Sequence, residues 1–322
     1  MTTFTLDTDT ARGWAVAHGL LPVDAEVVAE ELAGGVSATV VALRLPGDPG
    51  IVVKQALPRL RVADEWLATQ ARTETEADAM RLCGALTPGA VPRVLGSDPV
   101  DHVLALELVE GCANWQADVA EGKVHAELGA WAGATLGTWH ERTSHDPGVQ
   151  ARFADLEAFE ELRLRPFHET MATRLPEAAP LVAPRVGQLR HERSCLVHGD
   201  YALKNMLVGP SGPWVLDFEV AHLGNPLFDL GFFLSFAVLS ALRWPARTDE
   251  LRELADGFSA AYEQVRGAGS GTGEDVVAHT ACLVLARTDG KSPAQFLDPH
   301  TRERARARGL ELLREPARGL WE

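Results

Sequence analysis

Two short polar runs constrain this chain more than any bulk property. Residues 196–208 read LVHGDYALKNMLV and residues 214–222 read WVLDFEVAH, so His198, Asp200, Lys204, Asn205, Asp217 and Glu219 stand between hydrophobic segments. Charged and amide side chains beside core strands are costly unless each finds a partner. The fold must therefore bury a polar network here, or build a site that handles protons, metal or phosphate.

The chain has 322 residues, 46% hydrophobic and 23% charged, which suits two domains or one two-lobed domain. A formal net charge of −15 argues against phosphate-backbone binding, so no nucleic-acid partner is expected. The longest apolar run, LGFFLSFAVLSAL at 230–242, is too short to span a bilayer and reads as a buried helix. The N-terminal MTTFTLDTDTARGW carries acidic residues and no apolar core segment, so neither a signal peptide nor a membrane partner is expected. Cys83, Cys112, Cys195 and Cys282 form no CxxC pair and are expected as buried, reduced thiols in a cytoplasmic protein.

Coarse patterning gives an α+β chain. A short helix is expected over 10–20, then strand, glycine turn, strand, loop and strand over 26–57, punctuated by Gly34-Gly35 and by PGDPG at 46–50. Residues 65–86 have helical spacing, with Leu67, Ala71, Ala79 and Leu82 among the apolar positions, and a strand pair follows through 102–111. Beyond Cys112 the pattern turns helical. Residues 124–143 form an amphipathic helix with Leu128, Trp131, Leu136 and Trp139 on or near one face. A proline-broken helical stretch covers 150–193, about three helices follow the motif region, and RGAGSGTGED at 266–275 reads as a loop. The boundary falls near Gly111, giving a β-rich lobe over 1–110 and a larger, mainly helical lobe over 111–322.

Asn205 and Asp217 bracket two hydrophobic runs joined by a GPSG turn. If those runs pair as a hairpin, an amide oxygen and a carboxylate meet at one end, a hard-oxygen pair suited to Mg²⁺. Asp200 is then left to face a substrate hydroxyl, which is the division of labour that phosphoryl transfer needs. Upstream, the turn at Gly34, Gly35, Val36 and Ser37 can present backbone N–H groups to phosphates, although most such turns only close hairpins. Lys54 ends the strand GIVVK, and Glu76 on the following helix can pair with it.

HGDYALKN resembles the HGDxxxxN motif of the aminoglycoside-phosphotransferase and choline-kinase-like family, which shares the protein-kinase fold. VLDFE resembles that family's metal-binding aspartate segment, and VVKQALPRLRV with TEADAMRL is similar to the corresponding stretch of methylthioribose kinases. Over roughly 25–300, the resemblance implies a two-lobed protein-kinase-like fold, a small β-rich N-lobe before a larger helical C-lobe. It implies Asp200 as catalytic base, Asn205 and Asp217 as Mg²⁺ ligands, and Lys54, held by Glu76, on the α/β-phosphates of ATP. Ser37 and the Gly34-Gly35 backbone would cover the phosphates, and the backbone of Glu107 and Val109 in LELVEG would bind adenine. By the same resemblance, His198 and Asp229 brace the catalytic loop, and His140 is a satisfied internal histidine.

Lys204, four residues after Asp200, either steadies the transferring phosphoryl group or salt-bridges an acidic neighbour. Glu219, Arg287 and Asp289 are candidate substrate contacts; a structural carboxylate (Glu219) and solvated charges at a helix end (Arg287, Asp289) are the competing readings. The implied activity is ATP- and Mg²⁺-dependent phosphorylation of a small-molecule hydroxyl, on a sugar, an aminoglycoside or nucleoside antibiotic, or an amino alcohol. A catalytically weak, pseudokinase-like nucleotide binder is the alternative, and the presence of Lys54, Asp200 and Asp217 weighs against it.

Overall fold

β-Branched alternation near the N-terminus builds one antiparallel sheet. In the computed structural model, which describes residues 4–32, 35–62 and 65–322, its order is β1-β2-β3-β5-β4. The strands are β1 (Val28–Glu31), β2 (Ala38–Leu45), β3 (Asp48–Ala56), β4 (Val94–Asp98) and β5 (Val103–Glu107). Successive side chains of a strand face opposite sides. Val41, Leu43, Ile51, Val53, Val103 and Ala105 therefore share one face, closed by Leu6 and by Trp14 of helix α1 (Ala11–Ala17). Helix α2 (Arg72–Leu86) packs against β3, β4 and β5.

Helix α2 starts later than its spacing predicts. Residues 65–71 form no helix, and Leu67 is 59% exposed after an isolated bridge to Arg59. The inward positions of α2 instead include Arg72, Thr73 and Glu76, polar groups that hydrophobic periodicity cannot mark but that have partners.

Two compact units divide the chain: Met1–Cys112 with Trp214–Val220, and Ala113–Pro213 with Ala221–Glu322. A single boundary at 110/111 leaves 214–220 in the second lobe, whereas contacts assign it to the first. The cause is local: the Val215 N–H donates to the Ala90 carbonyl, and Glu219 pairs with Arg72.

The second unit is built from helices α3 (Trp115–Glu121), α4 (Leu128–Thr143), α5 (Pro147–Arg152), α6 (Glu157–Phe159), α7 (Thr170–Arg174) and α8 (Ala179–His191). After the motif region come α9 (Leu227–Arg243), α10 (Thr248–Arg266), α11 (Glu274–Asp289) and α12 (Pro299–Arg314). A π-helical stretch, Glu160–Glu169, joins α6 to α7 and contains Pro166, which lacks the N–H a regular ladder would use. Short strands carry the motifs: β6 (Ala113–Asn114) pairs with β8 (Met206–Val208), and β7 (Cys195–Val197) with β10 (His222–Gly224). The remaining strand, β9 (Trp214–Val215), belongs to the returning segment. The apolar run at 230–242 lies within α9, nearly all buried, and no described helix is long and apolar enough to cross a membrane.

The buried seam of α4 is not the expected one. Leu136 and Trp139 are buried, but Leu128 and Trp131 are only partly covered. Gly129, Gly133 and Gly137 face α10 instead, where a Cβ on Gly133 would stand 2.0 Å from the Phe258 carbonyl oxygen. Only glycine admits so close an approach of helix backbones. The thiols also need one correction: Cys83, Cys195 and Cys282 are buried and in no disulfide, but Cys112 is only partly buried.

Gly133→Ala should therefore cost about 1–3 kcal/mol in urea denaturation, the usual cost of overpacking. Gly187→Ala, in α8 with nothing within 4 Å of the added carbon, should be neutral or stabilising by roughly 0.5–1 kcal/mol. Equal effects at the two sites would contradict the close α4–α10 contact.

Candidate functional site

In the first unit, β3 brings Lys54 onto the sheet face that α2 covers. Its ammonium lies 2.8 Å from Glu76 Oε1 and 2.6 Å from Asp217 Oδ1, and only 12% of its side chain is exposed. Burial alone would lower the Lys54 pKa, but the carboxylates of Asp217, Glu76 and Glu219 outweigh it and hold the ammonium above the ordinary lysine range. Burial pushes the Glu76 carboxyl up to about 7, opposed by the charge of Lys54. Asp217 adopts φ +69°, a conformation uncommon outside glycine that concentrates at functional positions.

Glu219 lies two residues on and is engaged elsewhere. Its Oε2 accepts from Arg72 Nε at 2.9 Å, and both side chains are buried. Arg72 also donates to the backbone oxygens of Ser37 and Leu57, at 2.7 and 2.8 Å, and to those of Ala68 and Thr69. A buried carboxylate satisfied in this way ties Glu219 to Arg72 within the first unit. The expected glycine turn is described from Gly35 onward; Gly34 lies outside the described residues. The carbonyls of Val36 and Ser37 accept from Arg61 N–H and Leu57 N–H, while the N–H groups of Val36 and Ser37 make no hydrogen bond among the described residues. Glu107 ends β5 with its carboxylate on Arg93, and Leu108 N–H donates to the Gly50 carbonyl. Val109 follows with no backbone hydrogen bond from its own N–H among the described residues.

In the second unit the loop after β7 is held from behind. The Asp229 carboxylate accepts from the backbone N–H of His198 at 2.7 Å and of Gly199 at 2.8 Å. His198 Nδ1 accepts the Asp200 N–H at 3.1 Å, so His198 braces the loop. Gly199 takes φ +78°, a turn that a side chain would strain. His140, fully buried, sits 2.9 Å from the Tyr262 hydroxyl and 3.3 Å from Asp229, and burial lowers its pKa despite that carboxylate.

Asp200 is completely buried, and its Oδ2 accepts from Lys204 Nζ, from Asn205 Nδ2 at 2.8 Å and from Arg163 Nη2 at 2.7 Å. Arg163 Nε also holds the Gly199 carbonyl at 3.0 Å. Arg163 lies in the π-helical stretch, with no motif around it, and only its spatial neighbours reveal the role. Because Asn205 turns its amide nitrogen to Asp200, its Oδ1 is the atom left for a cation.

Arg287 and Asp289 separate. Asp289 forms a two-bond pair with Arg306, at 2.8 and 2.6 Å. Arg287 Nη1 donates to the Ser292 carbonyl and hydroxyl, and its Cζ lies 5.8 Å from the Phe167 ring centroid.

No cluster of three or more His, Cys, Asp or Glu suited to a metal occurs among the described residues. Mg²⁺ does not require one, since it binds through one or two carboxylates plus waters and phosphates. Asp217, with its side chain 25% exposed, and Asn205 Oδ1 are hard oxygens of that kind.

Lys54→Met should move the Glu76 carboxyl titration, followed by ¹³C NMR, upward from about 7, because the opposing cation is gone. The raised folded pKa means that Glu76 contributes stability fully present below its ordinary value of 4.5 and lost as pH rises through about 7. A downward shift in the variant would contradict the pairing.

The chain is similar to several known kinases. Methylthioribose kinase of Bacillus mycoides (strain KBAB4) is 25% identical over 277 residues, covering 78% of this chain and 70% of that protein. The Geobacillus sp. (strain WCH70) methylthioribose kinase is 26% identical over 336 residues, covering 88% and 83%. Among solved structures, choline kinase from Cryptosporidium parvum Iowa II superposes with a TM-score of 0.61 at 12% identity, covering 97% of each chain. A putative fructosamine-3-kinase from Thermobifida fusca gives 0.55 at 19% identity, covering 91% and 95%. These superpositions establish the two-lobed kinase-like fold, an antiparallel-sheet lobe with a helical lobe. The profile of the phosphotransferase enzyme family, APH, matches residues 28–272, most of the chain, and the chain belongs to that family.

Proposed function

We propose that this protein transfers the γ-phosphoryl group of Mg·ATP to the hydroxyl of a small molecule. The observation that carries the reading is the buried carboxylate of Asp200, fixed by Lys204, Asn205 and Arg163 on a loop that Asp229 anchors. A carboxylate so constrained orients an acceptor hydroxyl and takes its proton. The acceptor oxygen forms a bond to the γ-phosphorus, the bond to the β–γ bridging oxygen breaks, and ADP leaves with the electron pair.

Lys54 supplies a cation for the nucleotide's phosphates, with Glu76 setting its position. The Val36 and Ser37 N–H groups are suited to phosphate oxygens, and the Val109 N–H to the adenine edge. Asp217 and Asn205 would hold Mg²⁺, which neutralises phosphate charge in this chemistry. Lys204, which pairs with Asp200, would turn to the moving phosphoryl group in this reading. The family and the curated kinases support the reaction class, and the presence of each ionisable group weighs against a nucleotide binder without turnover.

Asp200→Asn should lower acceptor-dependent ADP release by about 10²–10⁴-fold with ATP affinity nearly unchanged. A collapse of ATP affinity instead would place Asp200 in nucleotide binding. Asp217→Ala should abolish Mg²⁺-dependent turnover while circular dichroism and melting remain those of a folded protein. Normal turnover in that variant would remove Asp217 from the metal site.

A further inference from the structure

Arg72 has every nitrogen of its guanidinium engaged, and none of its side chain is exposed. Nε donates to Glu219 at 2.9 Å, and Nη1 to the carbonyls of Ala68 and Thr69. Nη2 donates to the carbonyls of Ser37 and Leu57, at 2.7 and 2.8 Å. An arginine carries five N–H donors in a fixed planar fork, and here five oxygens meet them. All of these partners belong to the first unit.

The two contacts of Nη2 alter the end of the sheet. Strands β2 and β3 run antiparallel with Ala38 opposite Ala56, so Ser37 and Leu57 are the next pair outward. The Leu57 N–H donates to the Ser37 carbonyl at 2.8 Å, which is one half of a hydrogen-bonded pair. In such a pair the return bond runs from the Ser37 N–H to the Leu57 carbonyl. Here the Leu57 carbonyl accepts from Arg72 Nη2 instead, and the Ser37 N–H makes no hydrogen bond among the described residues. A second contact supports this arrangement. The Val36 carbonyl accepts from the Arg61 N–H at 2.8 Å, and a trans peptide points its C=O and N–H in opposite directions. The Ser37 N–H is thereby turned away from residue 61. The buried Glu219 carboxylate on Nε holds the guanidinium plane in the orientation from which Nη2 meets both carbonyls.

We infer that Arg72 is a positioning residue for nucleotide binding: by occupying the Leu57 carbonyl, it keeps the Ser37 N–H available to a phosphate oxygen of the nucleotide. The inference rests on the kinase reading and adds to it the group that holds the phosphate-binding turn off the sheet ladder.

Two variants that preserve the net charge of the buried pair provide the test: Arg72→Lys, and Arg72→Met combined with Glu219→Met. Lysine keeps the cation but lacks the fork that spans Glu219 and both carbonyls. ADP and adenosine are titrated separately into the full chain by calorimetry, in EDTA so that no divalent metal contributes. Both variants should lose ADP affinity by about tenfold or more, with adenosine affinity unchanged. Amide hydrogen exchange followed by ¹⁵N NMR supplies a readout that a merely structural role would not move. The Ser37 amide should exchange rapidly in the nucleotide-free wild type and become protected by ADP. In Arg72→Lys it should be protected without nucleotide, because the Leu57 carbonyl regains its ladder donor. Should the double variant fail to fold, Arg72→Lys and the exchange of Ser37 decide alone. Equal losses of ADP and adenosine affinity, no loss of ADP affinity, or equal Ser37 exchange in wild type and Arg72→Lys would overturn the inference. Arg72-dependent protection of Ser37 by ADP, in a protein that releases no ADP from ATP with any alcohol, would overturn the kinase reading and leave the inference standing.

Discussion

A buried lysine cation sets the terms for the first unit. Removing an ammonium from water costs several kcal/mol, recovered only if carboxylates are positioned against it. Lys54 therefore dictates where Glu76 and Asp217 must stand. Glu76 fixes which turn of α2 faces the sheet, and Asp217 requires residues 214–220 to return to this unit from far along the chain. Arg72 and Glu219 make a second, fully desolvated pair on the same two segments. Breaking either pair would strand a buried charge, so α2 and the returning segment hold each other in register.

The second unit solves a different problem, how to keep one carboxylate buried and correctly aimed. Asp229 binds the loop through two backbone N–H groups, His198 closes it on the Asp200 N–H, and Arg163 clamps it from the π-helical stretch. His140 supports Asp229 from α4. Contacts within this unit thus fix the loop, and the proposed reaction would use groups that need not reorganise.

How much of this the sequence exposes follows from chain distance. Asp200, Lys204 and Asn205 are legible because they lie within six consecutive residues between hydrophobic runs. The Lys54–Glu76 pair is legible because a strand precedes a helix at short range. Arg72 and Glu219 are 147 residues apart, and Arg163 is 36 residues from Gly199; nothing local marks these partners. The later start of α2 escaped for a related reason, since its first inward residues, Arg72, Thr73 and Glu76, are polar and partnered. The α4 seam escaped because hydrophobic patterning weights Trp131, while the close contact is made by glycines that contribute no hydrophobicity. For Glu219 and Asp289, the sequence showed charge beside a motif, and the structure shows each charge already answered by an arginine.

The family assignment gives the reaction class, phosphoryl transfer, and the proposed function rests the acceptor step on the arrangement around Asp200. The central claim is that the phosphoryl group passes directly to a small-molecule hydroxyl under the control of Asp200. The most direct measurement follows label from γ-labelled ATP into a small-molecule extract, with wild-type protein and Asp200→Asn side by side. A labelled phosphomonoester formed by the wild type and absent with the variant is the predicted result. Label retained on the protein itself, or transferred equally by both proteins, would contradict the account.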